Sequence, residues 1–161
     1  MSDWDVIIAG GAVTGSSAAW WLLGAAPGLR GLVVEPDPTY AKAATALSVA
    51  SVRGQFSNPV NVEISRFGVD FIRHFADRIG PEGGVPSLGL KENGYLFLTG
   101  TESGALVMEE LAAMQRGLGA STRVLGPAEL KALYPWMNTE DVVAGSLGSC
   151  DEGWFDNMGL L

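Results

Sequence analysis

Residues 5–17 read DVIIAGGAVTGSS, and the fold turns on how Gly10, Gly11, Ala12 and Gly15 are read. Val6 to Ala9 form a short apolar run of the kind found in a parallel strand buried on both faces. Gly10-Gly11 break it. From Val13 to Leu23 the chain is helix-compatible, and Ala18, Ala19, Trp20, Trp21, Leu22 and Leu23 give that helix a broad apolar surface for packing on a sheet. Gly24 and Pro27-Gly28 stop the helix. Leu32 to Val34 make a second apolar strand, closed by Glu35 and Pro36. The order is strand, glycine turn, helix, strand, acid.

Each part of that order has a role if a dinucleotide is bound. A tight turn delivers a helix N-terminus whose free N–H groups and positive dipole end face a pyrophosphate, while an acid ending the second strand accepts hydrogen bonds from ribose hydroxyls. Glu35 lies 20 residues after Gly15, the separation the dinucleotide fingerprint asks for. Ala12 stands where the fingerprint has its second glycine. One methyl group enlarges the turn without removing a donor, and it would add about 1–2 kcal/mol only if the position needed φ > 0. The same residues would also serve as a glycine turn with no ligand.

Composition excludes several classes. The chain has 161 residues, 47% of them hydrophobic, with 10 basic against 18 acidic side chains and no basic stripe, so a nucleic-acid partner is not expected. Cys150 is the single cysteine and His74 the single histidine, which leaves no disulfide framework and no set of ligands for a cysteine or histidine metal site. A reducing, cytoplasmic setting is expected. Residues 6–34 hold only Arg30 as a charge, but Asp3 and Asp5 precede them and glycines and Pro27 interrupt them, which argues against a signal peptide or a membrane span.

VVEPDPTY (33–40), ATALSVASVRGQFS (44–57) and EGWF (152–155) followed by Asp156 resemble the FAD-dependent oxidoreductases of the D-amino-acid oxidase and sarcosine oxidase superfamily. Within it they most resemble the branch that includes a mitochondrial complex I assembly factor and bacterial relatives. The resemblance runs the length of the chain, is most specific over 33–57, and implies that GGAV is a tolerated form of the turn. It implies an α/β fold: a Rossmann-like FAD-binding βαβ unit followed by the start of an α+β substrate domain. The corresponding division is 1–85 for the FAD domain, 86–152 for the substrate domain, and 153–161 for the start of a helix returning to the first.

The resemblance also implies roles. Gly10, Gly11, Ala12, Val13, Thr14 and Gly15 would form the pyrophosphate turn, Glu35 would hold the adenosine ribose, and Thr45 and Ser48 would give hydroxyl bonds to FAD. Arg53 matches a basic position beside the flavin ring, where a cation would stabilise negative charge on the reduced ring or bind a substrate carboxylate. The alternative for Arg53 is a solvated loop residue or a pair with Glu63. The implied activity is oxidation of a C–N bond in an amino acid or a secondary or tertiary amine by hydride transfer to FAD. The alternatives are a FAD-binding assembly protein without turnover, in association with respiratory-chain or electron-acceptor proteins, and an NAD-dependent dehydrogenase.

The remaining chain is read from periodicity. Val60, Ile64, Phe67, Phe71, Phe75 and Ile79 recur at steps of three and four, predicting one amphipathic helix over 59–79 with this stripe buried and His74 near its surface. A strand is expected at 94–99, and a helix capped by Thr101 and running to Leu118, with Met108, Leu111, Met114 and Leu118 in the core. A strand at 123–125, a helix from Pro127 to Leu133 and a strand at 142–147 follow. Asp156 is a good N-cap with five residues after it, read here as the start of a helix in a longer protein, the 161 residues alone being inactive. Cys150 is expected to be a small buried or edge residue.

Overall fold

The computed structural model describes residues 4–80 and 84–161, so that Asp3 alone among the residues argued from above lies outside it. The chain divides into two compact units, Met1–Ala50 with Asp156–Leu161, and Ser51–Phe155.

In the first unit β1 (Val6–Ala9), α1 (Val13–Ala25) and β2 (Gly31–Val34) form the expected βαβ motif. The strands pair in parallel, with Val6 opposite Gly31 and Ala9 opposite Val34. Gly31 is small because α1 leans on it: a Cβ there would stand 3.0 Å from Leu23 Cδ1. The expectation of burial on both faces is not met, since Ile7 is 61% and Val34 50% exposed and no α1 residue is buried. Two strands and one helix give each strand an open edge and cover one face. After β2 the chain runs through turns, and Asn157 Nδ2 donates to the Thr45 carbonyl at 2.5 Å and contacts Ser48 Oγ at 3.4 Å. Asp156 caps as expected, accepting from the N–H groups of Met158 (3.1 Å) and Gly159 (2.9 Å). What it caps is a turn, not a helix.

The second unit contains β3 (Ser51–Val52), α2 (Pro59–Arg73), α3 (Phe75–Ile79), β4 (Tyr95–Thr99), α4 (Glu102–Gly117), β5 (Thr122–Leu125), α5 (Pro127–Leu133), β6 (Ala144–Gly148) and β7 (Gly153–Trp154). β6 lies between β4 and β5, antiparallel to both. Leu125, Leu130 and Leu147, all under 10% exposed, form the core between this sheet and α5, with Leu96, Tyr134 and Val142 against them. Each such leucine contributes about 1.5–3 kcal/mol by leaving water. β3 pairs antiparallel with β7, Ser51 opposite Trp154 and Val52 opposite Gly153.

Caps explain where these helices begin. Asn58 Oδ1 accepts from Val60 N at 3.0 Å with Pro59 in the first turn, and Thr101 Oγ1 accepts from Gly104 N at 3.1 Å. The single helix expected over 59–79 is broken at His74 into α2 and α3, and the buried side of α2 is Val62, Val69 and Ile72. Val60, Ile64 and Phe67 are each more than half exposed, and of the expected stripe only Phe75 is buried. Helical periodicity marks a stripe, but α2 carries two interleaved apolar sets, and packing selected the one with the smaller valines. Met108, Leu111, Met114 and Leu118 are half-buried, while Ala112 and Gln115 are the buried residues of α4. Cys150 is exposed, its N–H donating to Ser121 Oγ beside the sheet. No helix among the described residues is long and apolar enough to cross a membrane.

Candidate functional site

The first unit brings the whole fingerprint together. Gly10 continues β1 by donating its N–H to the Val34 carbonyl at 2.8 Å, then turns with φ = 98°, a left-handed conformation that needs glycine. Ala12 has φ = −68° and ψ = −175°, ordinary extended backbone, so its methyl group carries no conformational strain. Gly15 is the position where a side chain is excluded. A Cβ there would land on the Gly10 carbonyl oxygen, so the first turn of α1 passes directly over the end of β1. Val13 and Thr14 complete the turn, Val13 half-buried and Thr14 exposed.

Glu35 closes the turn from the other side. Its Oε2 accepts from Gly11 N at 2.7 Å and its Oε1 from Asp37 N at 2.9 Å, which fixes a half-buried carboxylate against the glycines. Asp37 holds the next turn, accepting from Thr39 N and Oγ1 at 3.0 and 2.6 Å, and these bonds lower its own carboxyl below the usual range. Ser16, which sequence reasoning passed over, donates its hydroxyl to the Gly11 carbonyl. Beside these residues opens a cavity of about 1080 Å³ lined by Gly11, Ser16, Trp20, Val33, Glu35 and Tyr40. Tyr40 was also missed. Its φ of 55° is unusual for a non-glycine residue, and its hydroxyl comes within 3.3 Å of where a Gly11 side chain would begin.

Two observations fit this turn to a dinucleotide diphosphate. No side chain caps α1 and its first turn holds no acid, so beyond the Gly11 N–H that Glu35 holds, the helix start presents N–H donors and a positive dipole end. Glycine occupies the two places where a Cβ would crowd the turn, against Gly10 at position 15 and against Glu35 Cβ, 3.1 Å away, at position 11. Thr45 and Ser48 also lie in this unit. Ser48 Oγ donates to the Thr45 carbonyl at 2.9 Å and accepts from Ala50 N at 3.1 Å, so that hydroxyl shapes its own loop.

Arg53 belongs to the second unit and sits on aromatic faces, its guanidinium 4.9 Å from the Phe56 ring centre, 5.4 Å from Phe97 and 5.7 Å from Tyr95. It makes no ion pair with Glu63 among the described residues. Arg53, Phe56 and Phe97 line a cavity of about 690 Å³, with Gln55, Thr99 and Gln115 around it. His74 is exposed and faces Asp70, Nδ1 lying 3.1 Å from the carboxylate, as a surface residue would. No group of three potential metal ligands occurs among the described residues.

Behind Arg53 lies a residue that no sequence argument singled out. Glu152 is 2% exposed, accepts from Gly54 N at 2.6 Å and from Gln55 Nε2 at 2.9 Å, and is held above the usual carboxylate range because burial penalises its charge. Those bonds and the nearby Arg53 charge pull it partly back. Gln55 Nε2 also donates to the Tyr95 carbonyl at 2.8 Å. A carbonyl can only accept, so this fixes the amide orientation and makes Ser146 Oγ the donor to Gln55 Oε1, at 2.6 Å. The only hint in the sequence was the place of Glu152 in EGWF.

Comparison with known proteins agrees with this geometry. The profile of the family described as FAD dependent oxidoreductase (DAO) matches residues 5–161. The chain is 44% identical over 161 residues to FAD-dependent oxidoreductase domain-containing protein 1 of Bos taurus, covering 98% of itself and 33% of that protein. It thus spans about a third of the length of the curated relatives it matches. Among solved structures, L-proline dehydrogenase from P. horikoshii superposes with a TM-score of 0.78 at 22% identity, over 96% of this chain and 38% of that one. L-alpha-glycerophosphate oxidase from Mycoplasma pneumoniae, with FAD bound, gives 0.71 at 20% identity over 99% and 41%. At these identities the structures speak for the fold, and the family match decides between the cofactors in favour of FAD. The chain belongs to the DAO family of FAD-dependent oxidoreductases.

Proposed function

We propose that the protein oxidises the C–N bond of an amino acid or of a secondary or tertiary amine, and that the activity belongs to a protein of its relatives' length, not to these 161 residues alone. The carrying observation is the uncapped start of α1 beside the Glu35 carboxylate, a site shaped for the ADP half of FAD. The turn from Gly10 to Gly15 would receive the diphosphate on backbone N–H groups beyond those of Gly10 and Gly11, which Val34 and Glu35 already hold. Glu35 would accept from the ribose, and Thr45 and Ser48 would serve the cofactor from the loop after β2. FAD, when bound, supplies the hydride acceptor. Arg53 supplies a permanent positive charge, held on aromatic rings and without a salt bridge among the described residues, which suits it to stabilising negative charge on a reduced ring or holding a substrate carboxylate. The named activity of L-proline dehydrogenase supports the amine reading.

The test is anaerobic. The FAD-loaded protein is mixed with a panel of amino acids, N-methylated amines and, for contrast, a glycerophosphate, and the flavin's visible absorbance is followed. Bleaching by amines alone is the expected result. Bleaching by the phosphate ester alone would replace the substrate class, and bound FAD that nothing bleaches would favour a binding protein without turnover.

A further inference from the structure

The chain from Arg53 to Phe56 is not in a strand, yet it is held as firmly as one. β3 ends at Val52, where the backbone ladder to β7 stops. Two residues on, the Glu152 side chain continues the ladder in place of backbone, and its Oε1 accepts from Gly54 N at 2.6 Å as a strand carbonyl would. The approach is close enough that Gly148 must lack a side chain, since a Cβ there would land on the Glu152 carboxylate. Gly153 is equally constrained, because a Cβ would fall on the Lys91 carbonyl, so the strand that delivers Glu152 is fixed from its other edge as well.

We infer that Glu152 is the positioning residue for Arg53, a buried carboxylate that sets the guanidinium on its aromatic seat by two routes. One is the backbone, through Gly54, the residue after Arg53. The other runs through Gln55 Nε2, which binds Glu152 and the carbonyl of Tyr95, whose ring is part of the seat. Glu152 is not itself a catalytic group. Gln55 and Ser146 line the Arg53 cavity, whereas Glu152 lies behind them with its oxygens occupied by Gly54 and Gln55. A fold staple would need only the hydrogen bonds. Here the bonds converge on the two residues that follow one cation and, through Gln55, on the backbone carbonyl of Tyr95, whose ring it rests on.

The inference rests on the reading of Arg53 as the functional cation, and the experiment separates the two. Glu152→Asp, which keeps the charge and shortens the reach by one methylene, Arg53→Met and the double variant are compared in the FAD-loaded protein. Flavin reduction equilibrium, thermal midpoint and a crystal structure of E152D are measured. Arg53→Met should lower the reduction equilibrium about tenfold, roughly 30 mV for a two-electron couple. E152D should lower it by a similar factor, show Arg53 displaced from the three rings, and add nothing in the Arg53→Met background. An E152D variant that loses thermal stability but keeps the wild-type equilibrium makes Glu152 a staple and overturns the inference, as does an additive double variant. If Arg53→Met leaves the equilibrium unchanged, Arg53 is not the cation beside the reduced ring, and the inference, which rests on that role, goes with it. Should E152D not fold, Gln55→Met decides: it breaks the second route alone, so an equilibrium lowered two- to threefold supports the inference, and an unchanged one overturns it.

Discussion

Two carboxylates in this chain do the same thing in different settings: Glu35 accepts from Gly11 N at 2.7 Å and Glu152 from Gly54 N at 2.6 Å. Glu35 is half-buried and 24 residues from its partner, joined to it by one βαβ crossover. Glu152 is 2% exposed and 98 residues from its partner, brought there by the β3–β7 pairing and the three-stranded sheet. The first keeps a face toward a cavity and can serve a ligand. The second is surrounded by protein donors and can serve only by holding something else in place. Equal bonds thus carry unequal meanings, and burial is what separates them.

The largest effect expected is at the turn. In Gly15→Ala the new methyl group meets the Gly10 carbonyl, backbone against backbone with no flexible side chain to give way. The variant should lose about 3 kcal/mol of stability and its FAD binding together, measured by denaturant unfolding and FAD titration. At the clamp, Glu152→Ala leaves Gly54 N–H without an acceptor in the interior and the Gln55 amide with the Tyr95 carbonyl alone. About 2 kcal/mol is expected, with FAD binding less affected than in Gly15→Ala. Gly148→Ala, harmful alone, should cost less in the Glu152→Ala background, because the atom it collides with is gone. If FAD binding falls equally in both regions, the distinction between a ligand-facing and a protein-facing acid collapses.

Glu35→Ala sharpens the other side. Loss of its charged acceptor should weaken FAD binding about tenfold, or roughly 1.4 kcal/mol, with little change in overall unfolding. The pH dependence belongs to Glu152. Its carboxyl is raised from 4.5 in the folded protein, so folding takes up a proton between that value and the raised one. Stability is therefore full below the unfolded value and declines as pH rises through the window, by at most about 1.4 kcal/mol per pH unit. Glu152→Gln should remove this decline, which thermal midpoints across the acidic range would show. Asp5 has the opposite sign, lowered by its bonds to Arg30 at an exposed site, so its contribution is present above 3.8 and is lost as pH falls.

What the sequence made legible follows the same line between local and distant. The βαβ unit, the Thr101 cap and the helix over Pro127–Leu133 are written in residues a few positions apart, and each was found within a residue or two. The buried face of α2 was not legible, because two apolar sets share the helix and only its packing partners choose between Val62, Val69 and Ile72 and the stripe through Ile64 and Phe67. Glu152, Gln55 and Ser146 meet across 91 to 97 residues, and nothing in their spacing announces it. The aromatic seat of Arg53 depends on Phe97 and Tyr95 facing the same side of β4, which alternation allows but does not assign.

Ala12 gives the smallest effect and the finest test of the turn. Read as a departure from the fingerprint it invites repair, and Ala12→Gly would then tighten FAD binding. The backbone argues otherwise. The left-handed residue is Gly10, at φ = 98°, while Ala12 sits at φ = −68° as the residue before α1, a conformation alanine adopts freely. Glycine there would gain a few tenths of a kcal/mol as a better N-cap and lose a comparable amount through greater freedom of the unfolded chain. Ala12→Gly should therefore leave stability within about 0.5 kcal/mol and FAD affinity within about twofold, about 0.4 kcal/mol. A tenfold gain in affinity would mean that the methyl group, unstrained in the folded turn, stands where the diphosphate has to pass, and that the turn binds through a closer approach than its own geometry requires.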